Sequence, residues 1–313
     1  MLRFVLRRLA SGVVLIVAIS IITFFLLYAV GGDIARRILG PQATAGDIRA
    51  KQHDLGLDQS LLAQFGHWFS GALHGNFGSS WFDNLPVTQV IDSRLPVTLS
   101  LVVGATLITG GVSVLLGVLA ARRGGWVDRL VQFVSVLGFA VPGFLVAIGL
   151  VLVFAIKLGL VAPTGYTQFS DSPTGWLGSI LLPVIALSIG SVAGVAQQIR
   201  GSILDAQHQD WVRVLRSRGL PESRVVYEHV LRNAAGPALS VLGLQFVGLI
   251  GGAVIVEQIF AIPGLGQVAV SATSQGDVPI VMGLVIVVGA IVVLLNLLVD
   301  LLLGWLNPKV RHA

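Results

Sequence analysis

Residues Ile280 to Leu306 read IVMGLVIVVGAIVVLLNLLVDLLLGWL. These 27 positions hold one ionisable side chain, Asp300, and one amide, Asn296. At 1.5 Å per residue, about 20 apolar residues in a helix cross the hydrocarbon core of a bilayer. The stretch therefore reads as a membrane-spanning helix. Five more runs of the same kind precede it, at Leu9 to Val30, Val97 to Ala121, Leu130 to Ile156, Leu177 to Ile199 and Ala238 to Val256. The expected fold is an all-α integral membrane protein with six transmembrane helices. The first run is longer than the 7 to 15 apolar residues of a cleavable signal, and Gly31-Gly32-Asp33 lacks the small-x-small cleavage pattern, so it reads as a span.

Composition agrees. Of 313 residues, 55% are hydrophobic, 38 are Gly and only 11% are charged, against about 25% charged in soluble domains. A mean hydropathy of +0.88 excludes a disordered chain. The absence of Cys excludes disulfides, zinc-thiolate sites, iron-sulfur clusters and cysteine nucleophiles. The net charge of +5 is explained by where the basic residues fall. Fourteen of the twenty, from Arg3, Arg7 and Arg8 through the Arg200 to Arg232 group to Lys309 and Arg311, lie in one alternate set of connections. Basic residues are retained on the cytoplasmic side, so both termini are expected there, and anionic lipid rather than nucleic acid is the expected partner of the charge.

This divides the chain into an N-terminal span with an extracytoplasmic cap (1–96), a five-helix core (97–306) and a cytoplasmic tail (307–313). In the cap, Leu61, Leu62, Phe65, Trp68, Phe69 and Leu73 recur at helical spacing, closed by Gly75. Such a helix either packs on the outer ends of the spans or offers a docking surface. The inner connection, from Arg200 to about Asn233, is far longer than the 2 to 8 residues that suffice between bundle helices. Gly219-Leu220-Pro221 punctuates it, with Arg216 and Arg218 before the turn and Glu222 after it. Cations suit a helix end, and Pro and Glu suit a helix start, so the connection reads as a helical hairpin.

The hairpin sequence Asp210-Trp-Val-Arg-Val-Leu-Arg-Ser-Arg-Gly219-Leu-Pro, followed by Val225-Val-Tyr-Glu-His229-Val-Leu-Arg232-Asn233-Ala-Ala-Gly-Pro237, resembles the cytoplasmic signature loop of binding-protein-dependent ABC importer permeases. More narrowly it is similar to the B-type permease of the dipeptide, oligopeptide and nickel group. It departs from that pattern at Val214 and Leu215, where small residues are usual, at Arg218 for Lys, and at Pro221 for Ser. Further patches fall in the family's order: Leu2-Arg-Phe-Val-Leu-Arg-Arg8, His53-Asp-Leu-Gly-Leu-Asp58, Gly75-Asn-Phe-Gly78, Arg94-Leu-Pro-Val-Thr-Leu99, Glu257-Gln-Ile-Phe-Ala-Ile-Pro-Gly-Leu-Gly266, Asp277-Val-Pro279, Asn296-Leu-Leu-Val-Asp300 and Asn307-Pro-Lys-Val-Arg311. Gly31-Gly-Asp-Ile34 stands where Pro-Gly-Asp-Pro is common, and Asn307 where Asp is common.

The resemblance implies the type I ABC importer permease fold in the bacterial cytoplasmic membrane, with a homologous second permease, two ABC ATPase subunits or one fused pair, and an extracytoplasmic substrate-binding protein. It implies coupling to the ATPases through Asp210, Arg213, Arg216, Gly219, Glu222, His229 and Arg232; the same Arg residues also suit a solvated or lipid-facing role. The cargo it implies is a di- or oligopeptide, or a similar small solute such as glutathione, nickel or haem.

The residues restrict the chemistry further. A P-loop needs Gly-Lys-Ser/Thr, and the three lysines, Lys51, Lys157 and Lys309, follow Ala, Ile and Pro. No ATPase site is therefore expected in this chain; ATP and Mg would sit on partner subunits, with no cofactor here. The six His show no His-Glu-x-x-His pair, and no metal site is expected. Asp300, one turn after Asn296, suits either a helix-helix bond or a gate. Glu257, with Pro263 and Gly264, suits an outer gate, a binding-protein contact or a water-interface marker. Pro142, with Gly143, and Pro183 interrupt the third and fourth runs and suit kinks or hinges. The alternative reading is a self-contained ion-gradient-driven transporter or channel. It needs paired broken helices and several membrane carboxylates, of which Asp300 alone lies well inside a run.

Overall fold

The computed structural model describes residues 2–30 and 34–306. Met1, Gly31-Gly32-Asp33 and the expected cytoplasmic tail from Asn307 lie outside the described residues. Within them the chain is helical: α1 Leu2–Val30, α2 Ile34–Leu39, α3 Ala45–Asp54, α4 Leu61–Leu73, α5 Val87–Arg123, α6 Gly125–Ala140, α7 Gly143–Leu150, α8 Pro173–Gln207, α9 Asp210–Ser217, α10 Glu222–Arg224, α11 Leu231–Ile259, α12 Leu265–Gln275 and α13 Val278–Leu306. A π-helical stretch, Val151–Lys157, continues α7, and a second, Val225–Val230, joins α10 to α11, so that Glu222–Ile259 runs as one helix of 38 residues.

Among the described residues, five helices are long and apolar enough to cross a membrane, within α1, α5, α8, Glu222–Ile259 and α13. The third expected span is not a single helix. α6 and the α7 segment meet at 95° across Val141-Pro142. Pro142 has no N–H to continue the α6 ladder, and its ring drives the preceding residue out of the helical region. Val141 accordingly is extended, at φ −89° and ψ 119°. Pro183 behaves differently: it lies buried inside an uninterrupted α8 and does not break it.

The chain forms two compact units, one of residues 1–97 and 263–294, the other of 98–262 and 295–313. In the first, local capping sets the short helices. Thr44 and Asp47 cap α3 reciprocally, and Ser60 caps α4. The amphipathic α4 turns Phe65 toward Phe24 of α1, ring centroids 5.3 Å apart, and Trp68 packs beside them with Met282. The helix thus packs on spans, as one of the two sequence expectations held.

In the second unit α8 is the most enclosed helix, burying residues on several sides against α6, α7 and α11. Small residues allow the close approach that helices need without a hydrophobic drive between them. Added Cβ atoms would meet Val184 at 3.1 Å from Gly104, Ala193 at 3.2 Å from Gly138 and Val299 at 2.9 Å from Gly243. Gly283 of α13 does the same in the first unit, where a Cβ would overlap Val87 of α5 and reach Ile91 at 3.4 Å. Gly283→Val should therefore separate α13 from α5, costing about 1–3 kcal/mol and lowering the unfolding temperature of the detergent-solubilised protein. An unchanged melting curve would show that this contact relaxes freely.

Candidate functional site

The polar connection between α8 and α11 is shorter than its sequence suggested, because α8 continues through Arg200 to Gln207 and the second limb merges with α11. What projects is α9 and the turn after it. α9 is amphipathic: Val212 is fully buried against Ile199, Ile203 and Val225, while Asp210 and Arg213 are largely exposed. Burying such a Val is worth about 1.5–3 kcal/mol, which holds the element to the bundle by one face.

Gly219, at φ +79°, closes α9 in a left-handed cap. Its N–H donates to the Arg216 carbonyl at 3.0 Å, and the Leu220 N–H to the Leu215 carbonyl at 3.4 Å. This is the Schellman arrangement, with Leu215 and Leu220 both packed on the apolar cluster beneath. Across the turn, Arg216 donates both arms of its guanidinium to Glu222, at 2.6 and 3.0 Å. Arg122, at the end of α5, donates to the Tyr227 hydroxyl at 2.5 Å and stacks over its ring at 5.0 Å. Arg200 makes a two-pronged pair with Asp128 of α6, which also accepts from Gln132 at 2.9 Å. The connection is braced on three sides, and it leaves Arg218 and Arg232 exposed and His229 half-buried.

Beside the Val141-Pro142 break lies a cavity of about 420 Å³, bounded by α6, α7, α8 and α11. Its wall holds Pro142 but not Pro183, and no ionisable side chain lines it. Gln245 and Ser191 are its only polar side chains. Neither had been singled out in the sequence; a lone Gln midway along an apolar run is the signal that marks Gln245.

Asn296 and Asp300 share a face of α13, the first exposed and the second half-buried. Their helix approaches α11 closely nearby, at Val299 and Gly243. Glu257 is fully buried rather than at a water interface, and Thr98 of α5 donates to its carboxylate at 2.6 Å. Gly264 is buried too, while Pro263 is half-exposed. Beyond Glu257 the helix ends in a second Schellman turn, with the Ile262 N–H donating to the Glu257 carbonyl at 2.8 Å. Here the left-handed position, φ +50°, is held by Ala261 instead of glycine.

Asp277 is a second buried carboxylate that the sequence reading did not assign. It precedes α13 as its N-cap and accepts from Ser80 Oγ at 2.5 Å and the Trp81 N–H at 3.2 Å, joining the 79–86 loop to α13. Asp followed by x-Pro at the start of a long apolar run is the signal that marks it.

An apolar helical bundle with a braced, charged connection defines a multi-span membrane protein. The comparisons with known proteins give the family. Residues 113–312 match the binding-protein-dependent transport system inner membrane components, and residues 1–102 match the N-terminal region of the same membrane components. A chain named as a peptide transport system permease protein in Brucella abortus (strain 2308) is 39% identical over 309 residues, 98% of each chain. The glutathione transport system permease protein GsiC of Escherichia coli (strain K12) is 35% identical over the whole of both. Among solved structures, the MetNI methionine ABC transporter in inward-facing conformations gives a TM-score of 0.56 at 16% identity, over 70% of this chain and 97% of that one. An amino acid ABC transporter with histidines gives 0.51 at 21% identity, over 71% and 94%. The chain belongs to the binding-protein-dependent ABC importer permeases, an inner-membrane family, and has their type I fold.

Burial holds the Asp277 carboxyl above the usual carboxylate range, against the opposing hydrogen bonds from Ser80 and Trp81. The folded chain thus holds this proton more tightly than the unfolded chain. The associated stability is full below the ordinary Asp value near 3.9 and is lost as pH rises toward the raised value. Asp277→Asn has no such loss, so its unfolding temperature should gain on the wild type as pH rises above the ordinary Asp value near 3.9. A difference that stays constant with pH would contradict this.

Proposed function

We propose that the chain forms half of the translocation pathway of an ATP-driven importer for di- or oligopeptides or a similar small solute. In this reading it works with a homologous second permease, two ATPase subunits or one fused pair, and an extracytoplasmic substrate-binding protein. The ATPases supply ATP and Mg; the permease contributes no cofactor and no catalytic residue. Its termini and the α9 connection face the cytoplasm.

The observation that carries the reading is the α9 connection, which keeps one face buried on Val212 and turns Asp210, Arg213 and Arg216 outward. A floppy loop would absorb a displacement, whereas one held by a Schellman turn and the Arg216–Glu222 fork transmits it. ATPase closure would push this element and so tilt α11, with which it is continuous. The family's full-length relatives named for peptide and glutathione transport support the solute class. Glu257 and Asp277 act as internal braces in this scheme, and Trp68, Pro263 and the rest of the cap form the surface that a binding protein meets.

Two measurements test it. Purification of the tagged chain in mild detergent, with mass spectrometry of what remains bound, should recover ATPases and a second permease; a chain that purifies alone and moves solute in liposomes without ATP would overturn the importer reading. Gly219→Val forces a β-branched residue into the left-handed region at a cost of about 1–2 kcal/mol. The complex should still assemble while ATP turnover becomes uncoupled from uptake. Normal coupling in that variant would remove the α9 connection from the mechanism.

A further inference from the structure

Gln245 stands at the midpoint of α11, on the wall of the cavity beside the Pro142 break. Its carboxamide makes no hydrogen bond among the described residues, although it carries two N–H donors and an acceptor. Gln245 is half-exposed, and apart from Ser191 the surrounding wall is built of glycine and apolar side chains. Glycine also makes the room: a Cβ on Gly194 of α8 would lie 2.8 Å from Gln245 Nε2 and 3.2 Å from Phe139 Cζ. The amide is thus seated in a notch between α8 and the end of α6, open to the cavity.

We infer that Gln245 is a specificity-determining residue that hydrogen-bonds the amide group of the solute in transit. The assignment rests on the importer reading and adds to it the chemistry being read. A carboxamide can donate to a peptide carbonyl or accept from a peptide N–H, and a trans peptide bond, which points the two in opposite directions, meets it through one of them at a time. With no ionisable side chain on the wall, the site is indifferent to the charge of the solute's side chains. It thereby suits a permease that passes many peptides of differing sequence, because the backbone amide is what they share. The 420 Å³ of the cavity accommodates a short peptide segment. It also lies against a broken helix halfway along a span, where transporters place their solute contacts.

The test uses the complete importer in proteoliposomes, supplied with its binding protein and with two probes: trialanine, and the depsipeptide in which an ester oxygen replaces its central N–H. Uptake of each probe is divided by its measured occupancy of the binding protein, so that the preference left over belongs to the permease. Wild type should favour the amide by about tenfold, the equivalent of one neutral hydrogen bond of about 1.4 kcal/mol. Gln245→Leu should lose that preference and slow trialanine uptake by a similar factor, while stimulation of ATP hydrolysis by the loaded binding protein persists. Gln245→Asn, which withdraws the same carboxamide by one methylene, should do likewise and carries the test if the Leu variant fails to assemble. Unchanged uptake and an unchanged preference in the variant that assembles would overturn the assignment and leave the importer reading standing. So would loss of the second permease from Gln245→Leu with normal uptake by Gln245→Asn, which would place the amide in subunit packing. A wild-type complex that moves neither probe under ATP would overturn both together.

Discussion

A peptide N–H or C=O left without a partner in hydrocarbon costs several kcal/mol, and this cost decides where the chain can bend. Helices satisfy the backbone internally, so each departure from helix has to carry its own solution. At Val141-Pro142 the ring removes the N–H that would otherwise be orphaned, and the chain turns through 95°. At Gly219 and Ala261 a left-handed residue lets two successive N–H groups reach back to the last carbonyls. At Asp277 a carboxylate caps the start of α13. The cavity at the break, the projecting α9 element and the buried acid clusters all lie at these permitted interruptions.

The same constraint governs the buried polar groups. Glu257 and Asp277 are carboxylates withdrawn from water, and each meets a hydroxyl donor from a distant part of the sequence, Thr98 and Ser80 respectively. Removing either hydroxyl would leave a buried acid short of a partner, which is far more costly than the net value of the bond itself. These pairs therefore fix register between helices whose apolar surfaces alone would permit sliding. The glycine notches act in the same sense sterically, admitting Val299 at Gly243 and Val184 at Gly104 and little else.

The number and approximate positions of the apolar runs were legible in the sequence because a span is a local property: about 20 apolar residues in succession. The turn at Gly219 was legible for the same reason, since Arg, Gly and Pro at fixed offsets are helix-end chemistry. What lay beyond reach was everything that depends on a partner far away in the chain. Leu130 to Ile156 read as one span although Pro142 divides it, because a proline inside an apolar run is compatible with either an uninterrupted helix, as Pro183 within α8 and Pro237 within α11 illustrate, or a break. Glu257 suited a water interface in the sequence because nothing local announces Thr98, more than 150 positions earlier. The inner connection looked longer than it is because α8 carries Arg200 in an apolar helix, where Asp128 neutralises it.

The continuity of Glu222–Ile259 has a mechanical consequence. At 1.5 Å per residue, 38 residues make a rod of roughly 57 Å, with the Gly219 turn at one end and the Ala261 turn at the other. Such a beam cannot shorten, so a sideways push of a few ångströms at one end must appear as rotation about a fulcrum. If the fulcrum lies near the middle, the two ends swing in opposite senses, and the bundle tightens on one side of the bilayer as it loosens on the other. The π-helical turn at Val225–Val230 and Pro237, which lacks its N–H bond, both lie toward the Gly219 end and are the softer parts of the shaft, where such a push would be partly absorbed.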